Sequence, residues 1–168
     1  MSFDPTEIVR VLEANAVRYV LIGGMAATIH GADYVTGDVD ITPATDSGNL
    51  TRLSKALHDL DARIRVADEP AGLPFDPDAG SLASVAIWNL VTNAGDLDIS
   101  FVPSGTRGYR DLQRDAVTVL IHGVAVPVAS LADVVRSKEA AGRDKDRLAL
   151  PMLRRLLAES VSRRSFRR

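Results

Sequence analysis

Between Tyr19 and Pro43 the chain reads YVLIGGMAATIHGADYVTGDVDITP, and no other stretch restricts its fold as much. An apolar run, Tyr19 to Ile22, delivers the backbone into Gly23-Gly24, a short segment from Met25 to His30 follows, and a second extended run carries Asp38 and Asp40. Side chains alternate faces along a strand, so Asp38 and Asp40 share one face while Val39 and Ile41 enter a core. Two carboxylates held side by side among Val and Ile repel each other unless a cation lies between them. A divalent metal meets that need. The glycine pair indicates what such a metal would hold, because backbone N–H groups without a neighbouring Cβ can approach an anion closely. Capping carboxylates and a plain strand-to-helix turn are the ordinary alternatives; the order and spacing of the two features together favour metal and anion.

A chain of 168 residues holds one domain with a real core and is too short for two comfortable ones. No apolar run approaches the roughly 20 residues needed to span a bilayer, and the start MSFDPTEIVR lacks the basic and apolar regions of a signal peptide. A cytoplasmic protein with no membrane partner is the expectation. The chain has no cysteine, which excludes disulfides, thiolate nucleophiles and Cys-type zinc sites. Its histidines, His30, His58 and His122, show no ligand-like spacing, so metal chemistry on oxygen donors remains. The net charge of −2 hides an asymmetry: residues 154–168 hold six Arg and one Glu, leaving an acidic body and a basic end. Arg outnumbers Lys seventeen to three, yet Lys138 and Lys145 fall close together, where compact ammonium groups suit phosphate.

Asp4-Pro5-Thr6-Glu7 predicts a helix start, with Ile8, Val11 and Leu12 as its apolar stripe to about Asn15. A strand at 18–22, a short helix at 25–30 ended by Gly31, a strand at 37–42 and a helix at 46–60 follow. Residues 68–78, rich in Pro, Gly and Asp, read as one long loop able to form a wall of a substrate cleft. Strands at 85–91 and 97–102 form a hairpin expected to lie antiparallel beside the Asp38 strand. Asp96 and Asp98 share one face of the second. After a weak helix at 109–115 and a hairpin at 117–128, Ser130 caps a helix to about Ala141 with Asp133 three residues on. A further helical segment starts near Asp144, and Pro151 either kinks it or begins the last helix. The expected organisation is a single domain over 1–158, with C-terminal helices from about 130, and a basic flexible tail at 159–168. Leu131, Val134 or Val135, and Lys138 recur at helical spacing, so Lys138 extends from an apolar stripe, and an inward lysine wants an anion.

Leu21-Ile22-Gly23-Gly24 followed by Asp38-Val39-Asp40-Ile41 resembles the signature of nucleotidyltransferases of the DNA polymerase β type. Gly95-Asp96-Leu97-Asp98-Ile99, Val128 to Val135, and Lys138-Glu139-Ala140-Ala141-Gly142-Arg143-Asp144-Lys145-Asp146 extend the resemblance to the small prokaryotic AbiEii-like toxin group, over about residues 5–157. At one position the chain departs: an Arg commonly stands two residues before the Thr of the metal motif, and here Tyr34 precedes Thr36.

The resemblance implies an α/β (α+β) nucleotidyltransferase fold, a small mixed sheet flanked by helices, and transfer of a nucleoside monophosphate from a nucleoside triphosphate (NTP), such as ATP, to an acceptor. It implies two magnesium ions on Asp38, Asp40 and a third carboxylate, Asp98 with Asp96 as fallback, and Asp98 as proton acceptor. It further implies a triphosphate held by Gly23, Gly24, Thr36, Lys138, Arg143 and Lys145, with Asp146 orienting a cation. The implied acceptor is a tRNA 3′ end, the protein acting as toxin in a toxin–antitoxin pair with a cognate antitoxin. Transfer of AMP to a partner toxin protein, modification of a small antibiotic, and a catalytically inactive binding module are the alternatives.

Overall fold

The computed structural model describes residues 2–167. Asp4 caps α1 (Pro5–Ala14) as its sequence predicts: the carboxylate accepts the Glu7 N–H, Pro5 sits in the first turn, and Ile8, Val9 and Leu12 are buried. The apolar run that follows is β1 (Tyr19–Ile22), which turns directly into α2 (Gly23–Ile29). The helix therefore starts on the glycine pair, two residues earlier than the sequence suggests. The chain continues through β2 (Asp38–Pro43), α3 (Ser47–Asp59), β3 (Arg63–Val66), β4 (Glu69–Leu73), α4 (Ala79–Ala83), β5 (Ile87–Thr92) and β6 (Gly95–Ser100). It ends with α5 (Tyr109–Asp115), β7 (Val117–Ile121), β8 (Val124–Val128), α6 (Leu131–Ala141) and α7 (Asp144–Ser165).

One mixed sheet of eight strands runs in the order β4-β3-β5-β6-β2-β1-β8-β7. Its centre is built from the alternation read in the sequence: Val39, Ile41, Leu97 and Ile99 point into the core and are fully buried, with Val20, Leu21 and Leu90. The opposite face of β2 and β6 carries the carboxylates. Asp38 pairs with Asp96, and Asp40 with Asp98, because the two strands run parallel in this register.

That direction corrects one expectation. The β5–β6 hairpin does lie beside β2, and β5 is antiparallel to β6, but β6 itself runs parallel to β2. A long crossover through α3, β3 and β4 separates them, and chain direction after a crossover is not set by local pattern. The first half of the expected loop at 68–78 is an edge strand: β4 pairs with β3 at the rim of the sheet, where Pro70 costs no internal hydrogen bond, and residues 74–78 remain loop. It does not line the cleft described below. Nor does Pro151 divide the last helix. α7 is continuous from Asp144 to Ser165, so residues 159–165, read as flexible tail, are helical with most of their side chains exposed. Arg168 lies outside the described residues. Among the described residues no helix is long and apolar enough to cross a membrane.

Candidate active site

A cleft of about 920 Å³ opens along the carboxylate face of β2 and β6, between the Gly23-Gly24 turn and the start of α7. Asp38, Asp40 and Asp98 each offer it a carboxylate oxygen, and these oxygens lie within 4.8 Å of one another. The parallel register of β2 and β6 produces this grouping. Asp98 rather than Asp96 is the third member: its carboxylate falls within the group and lines the cleft, whereas Asp96, paired with Asp38, is not among the lining residues.

The electrostatics of the group follow from its crowding. Burial first, then the charges of Asp38 and Asp98, push Asp40 up to about 7, although Lys145 and Lys138 pull it back. Burial also raises Asp98, which the Arg65 guanidinium opposes and Asp38 reinforces. Three hard oxygen donors that cannot all ionise freely fit a divalent cation such as magnesium, which binds through one or two carboxylates and substrate phosphates. Thr36 braces the first of them, its hydroxyl lying 3.0 Å from Asp38 Oδ1 and 3.2 Å from the Asp38 carbonyl.

Gly23 sits at φ +70°, and a Cβ there would lie 2.3 Å from Asp40 Oδ2. At Gly24 a Cβ would meet Thr36 Oγ1 at 3.1 Å. The pair thus lets the turn press against the carboxylates, and its N–H groups, in the first turn of α2, have no intrahelical acceptors.

The cationic side is organised around Asp146, which is fully buried. One of its oxygens accepts from Arg143 Nε at 2.7 Å and from the Arg143 backbone N–H at 3.2 Å; the other accepts from Arg143 Nη2 at 3.2 Å and Lys138 Nζ at 3.4 Å. Burial alone would raise the Asp146 carboxyl, but the Arg143 hydrogen bonds and the charges of Arg143 and Lys138 bring it below the usual carboxylate range. Lys138 faces inward as its helical spacing predicts, with 14% of its side chain exposed. Lys145, from the first turn of α7, lines the same cleft. All ten candidate residues therefore converge here, with Asp146 holding both Arg143 and Lys138.

Sequence reasoning missed three neighbours. Arg65 of β3 reaches across the sheet to Asp96 and Asp98 at 2.6 Å each. Asn89 of β5 pairs with Asp98 and lines the cleft. Tyr34, noted only as a departure, also lines the cleft with its hydroxyl buried and unpartnered. Two other polar aromatics have local duties: Trp88 stacks on Phe75 at 5.1 Å and donates to the Leu82 carbonyl, and His30 bonds the Ala129 carbonyl.

No protein-family model matches the chain, and no curated protein sequence matches it. Solved structures do. The fold is similar to that of the lincosamide antibiotic adenylyltransferase LnuA in its lincomycin-bound form, with a TM-score of 0.60 and 17% identity over 93% of this chain and 99% of that one. It is similar to ANT(2″)-Ia in complex with adenylyl-2″-tobramycin, with a TM-score of 0.57 and 16% identity over 96% and 94%. A Thermotoga maritima protein described as a nucleotidyltransferase gives a TM-score of 0.56 and 17% identity over 92% and 90%. At such identities the likeness is one of fold, and the chain has the nucleotidyltransferase fold.

Proposed function

We propose that the protein is a nucleotidyltransferase that moves a nucleoside monophosphate from an NTP, ATP included, to an acceptor hydroxyl. The observation that carries this is the facing of Asp38, Asp40 and Asp98 by Gly23, Gly24, Lys138, Arg143 and Lys145 across one cleft. In the reaction the acceptor oxygen bonds to the α-phosphorus, the bond from that phosphorus to pyrophosphate breaks, and the hydroxyl proton leaves to a base. Little covalent work falls to the protein, so positioning and charge dominate.

Asp38, Asp40 and Asp98 would hold magnesium, two ions in the proposed form, and that metal would neutralise charge on the attacking and leaving oxygens. Thr36 fixes Asp38 in place. The Gly23 and Gly24 N–H groups and the Lys138, Arg143 and Lys145 cations bind the triphosphate oxygens, and Asp146 holds two of those cations at the required spacing. Asp98, at the acceptor side of the group, takes the proton.

Two acceptors have specific support. A small hydroxyl compound suits the neutral cleft wall of Ile87, Asn89, Ser100, Ser104 and Thr106; it also agrees with the like-sized structural neighbours bound to lincomycin and to adenylyl-2″-tobramycin. The 3′ end of tRNA, the toxin reading drawn from sequence resemblance, is supported by exposed Arg155, Arg163 and Arg164 on α7. The last of these lies about 18 Å along the helix from cleft-lining Met152. Such a distance suits phosphates of a nucleic acid whose end enters the cleft.

The test is incubation of the purified protein with magnesium and each α-labelled NTP. Total tRNA is supplied in one arm, a panel of aminoglycosides and lincosamides in a second, and lysate protein in a third, beside Asp38→Ala and Lys138→Ala. Label in one acceptor class, lost in both variants, is expected. Label in none overturns the transferase reading and favours an inactive binding module; label confined to protein selects AMP transfer to a partner.

A further inference from the structure

The carboxylate group continues as a row across the sheet. Ile22 of β1 pairs with Asp40 of β2, Asp40 with Asp98 of β6, and Asp98 with Asn89 of β5. In the next strand Ile64 pairs with Leu90, which sets Arg65 beside Asn89 at the end of the row. Its side chain crosses β5 to place Nη1 2.6 Å from Asp96 Oδ2 and Nη2 2.6 Å from Asp98 Oδ1. The planar fork of an arginine suits two acceptors held side by side, as a lysine would not. Burial would lower the charge affinity of this guanidinium, yet Asp98 and Asp96 together raise its pKa. One carboxylate of the triad is thus already engaged by a cation belonging to the chain.

We propose that Arg65 is a built-in competitor for the second metal site: by occupying Asp98 it leaves one divalent cation bound tightly by Asp38 and Asp40, and makes a second ion costly until the triphosphate brings further oxygens. The inference rests on the metal reading above. Charge counting agrees with it. Asp38, Asp40, Asp96, Asp98 and Asp146 carry −5 and Arg65, Lys138, Arg143 and Lys145 +4, so a first dication leaves +1, near balance, whereas a second leaves +3 in a partly buried cleft. A triphosphate of about −4 brings that back to about −1. The second ion is therefore coupled to nucleotide, and Arg65 is the positioning residue that sets the coupling.

Manganese(II), a paramagnetic substitute for magnesium, tests this without any turnover. Free manganese is followed by electron paramagnetic resonance during titration of the full chain without nucleotide, with thermal denaturation to confirm folding. Wild type is expected to bind one ion tightly and a second at least tenfold more weakly. Arg65→Met tightens the second ion by tenfold or more and leaves the first unchanged, while Arg65→Lys gives a smaller gain and also serves if the methionine variant does not fold. Asp98→Asn keeps a single tight ion whether or not Arg65 is present. An unchanged or weaker second ion in the Arg65 variants overturns the proposal, because a group that merely orients a metal ligand raises metal affinity and its loss lowers it. If wild type and Asp40→Asn bind no manganese alike, the metal reading itself falls, and this inference with it.

Discussion

Gly23 and Asp40 are in contact through a space that only glycine leaves open: at φ +70° a Cβ on residue 23 would sit 2.3 Å from Asp40 Oδ2 and 2.9 Å from its Cβ. The turn that would carry the phosphates and the carboxylate that would carry the metal are packed as one unit. Gly23→Ala is expected to displace Asp40, weaken manganese and NTP binding at least tenfold, and cost about 1–2 kcal/mol from the left-handed backbone alone. Gly48→Ala is the control. It lies in α3 with its nearest contacts at an ordinary 3.5 Å, and should gain about 0.5–1 kcal/mol in helix stability with binding unchanged. Isothermal titration and thermal melts read both; equal binding in the two variants would refute the coupling.

The raised pKa of Asp40 gives the metal-free protein an unusual pH dependence. An unfolded aspartate titrates near 3.9, whereas folded Asp40 holds its proton up to about 7. The contribution is therefore fully present below about pH 4 and is lost as pH rises through 7, at up to about 1.4 kcal/mol per pH unit. Asp111 and Asp146, with lowered values, act in the opposite sense at lower pH, so the signature belongs between about pH 5 and 7.5. In EDTA, Asp40→Asn is expected to raise the melting temperature by several degrees at pH 8 and by only about a third as much at pH 5. Equal shifts at both pH values would remove Asp40 as the cause.

Most of the carboxylate face was legible because period-two alternation is local: Val39 and Ile41 had to be buried, so Asp38 and Asp40 had to face the other way. Lys138 was legible for the matching helical reason. The resemblance put Asp98 ahead of Asp96, but that its carboxylate joins Asp38 and Asp40 depends on the pairing of β2 with β6, and Arg65 required knowing that β3 lies next to β5; neither contact is written in local pattern. Composition misled where tertiary position overrides it. Pro70 reads as loop but sits in an edge strand, and Pro151 reads as a helix break but lies within a helix whose other residues are mostly good helix formers.

Asp146 is the one fully buried carboxylate of the cleft, and it neutralises cations from two helices, Lys138 of α6 and Arg143 at the start of α7. Asp146→Ala leaves both without their acceptor. Because Arg143 is largely open to solvent while Lys138 is not, the expected loss is up to about 3 kcal/mol, below that of a fully buried pair. Triphosphate affinity should fall at least tenfold, and Asp146→Asn should recover part of the stability but little of the affinity. Chemical denaturation and nucleotide titration measured together decide it; loss of stability with intact affinity would make Asp146 a folding residue only.

Tyr34 separates stability from binding with opposite signs. Its hydroxyl is buried without a hydrogen-bond partner, and its ring would lie 3.6 Å from a Cβ at Gly24. Burial first, then the negative charges of Asp146 and Asp40, raise its pKa, so the phenol stays protonated and remains a donor. An orphaned buried donor costs free energy until something accepts from it, and a triphosphate oxygen entering between the glycine turn and Lys138 would do so. Tyr34→Phe is therefore expected to leave the free protein as stable as wild type or up to about 1 kcal/mol more stable, while NTP affinity drops about tenfold. The two readouts are a denaturant midpoint and a nucleotide titration on the same preparation. A stability loss in Tyr34→Phe would mean that the hydroxyl already has a partner within the protein, and unchanged affinity would mean that it faces away from the triphosphate.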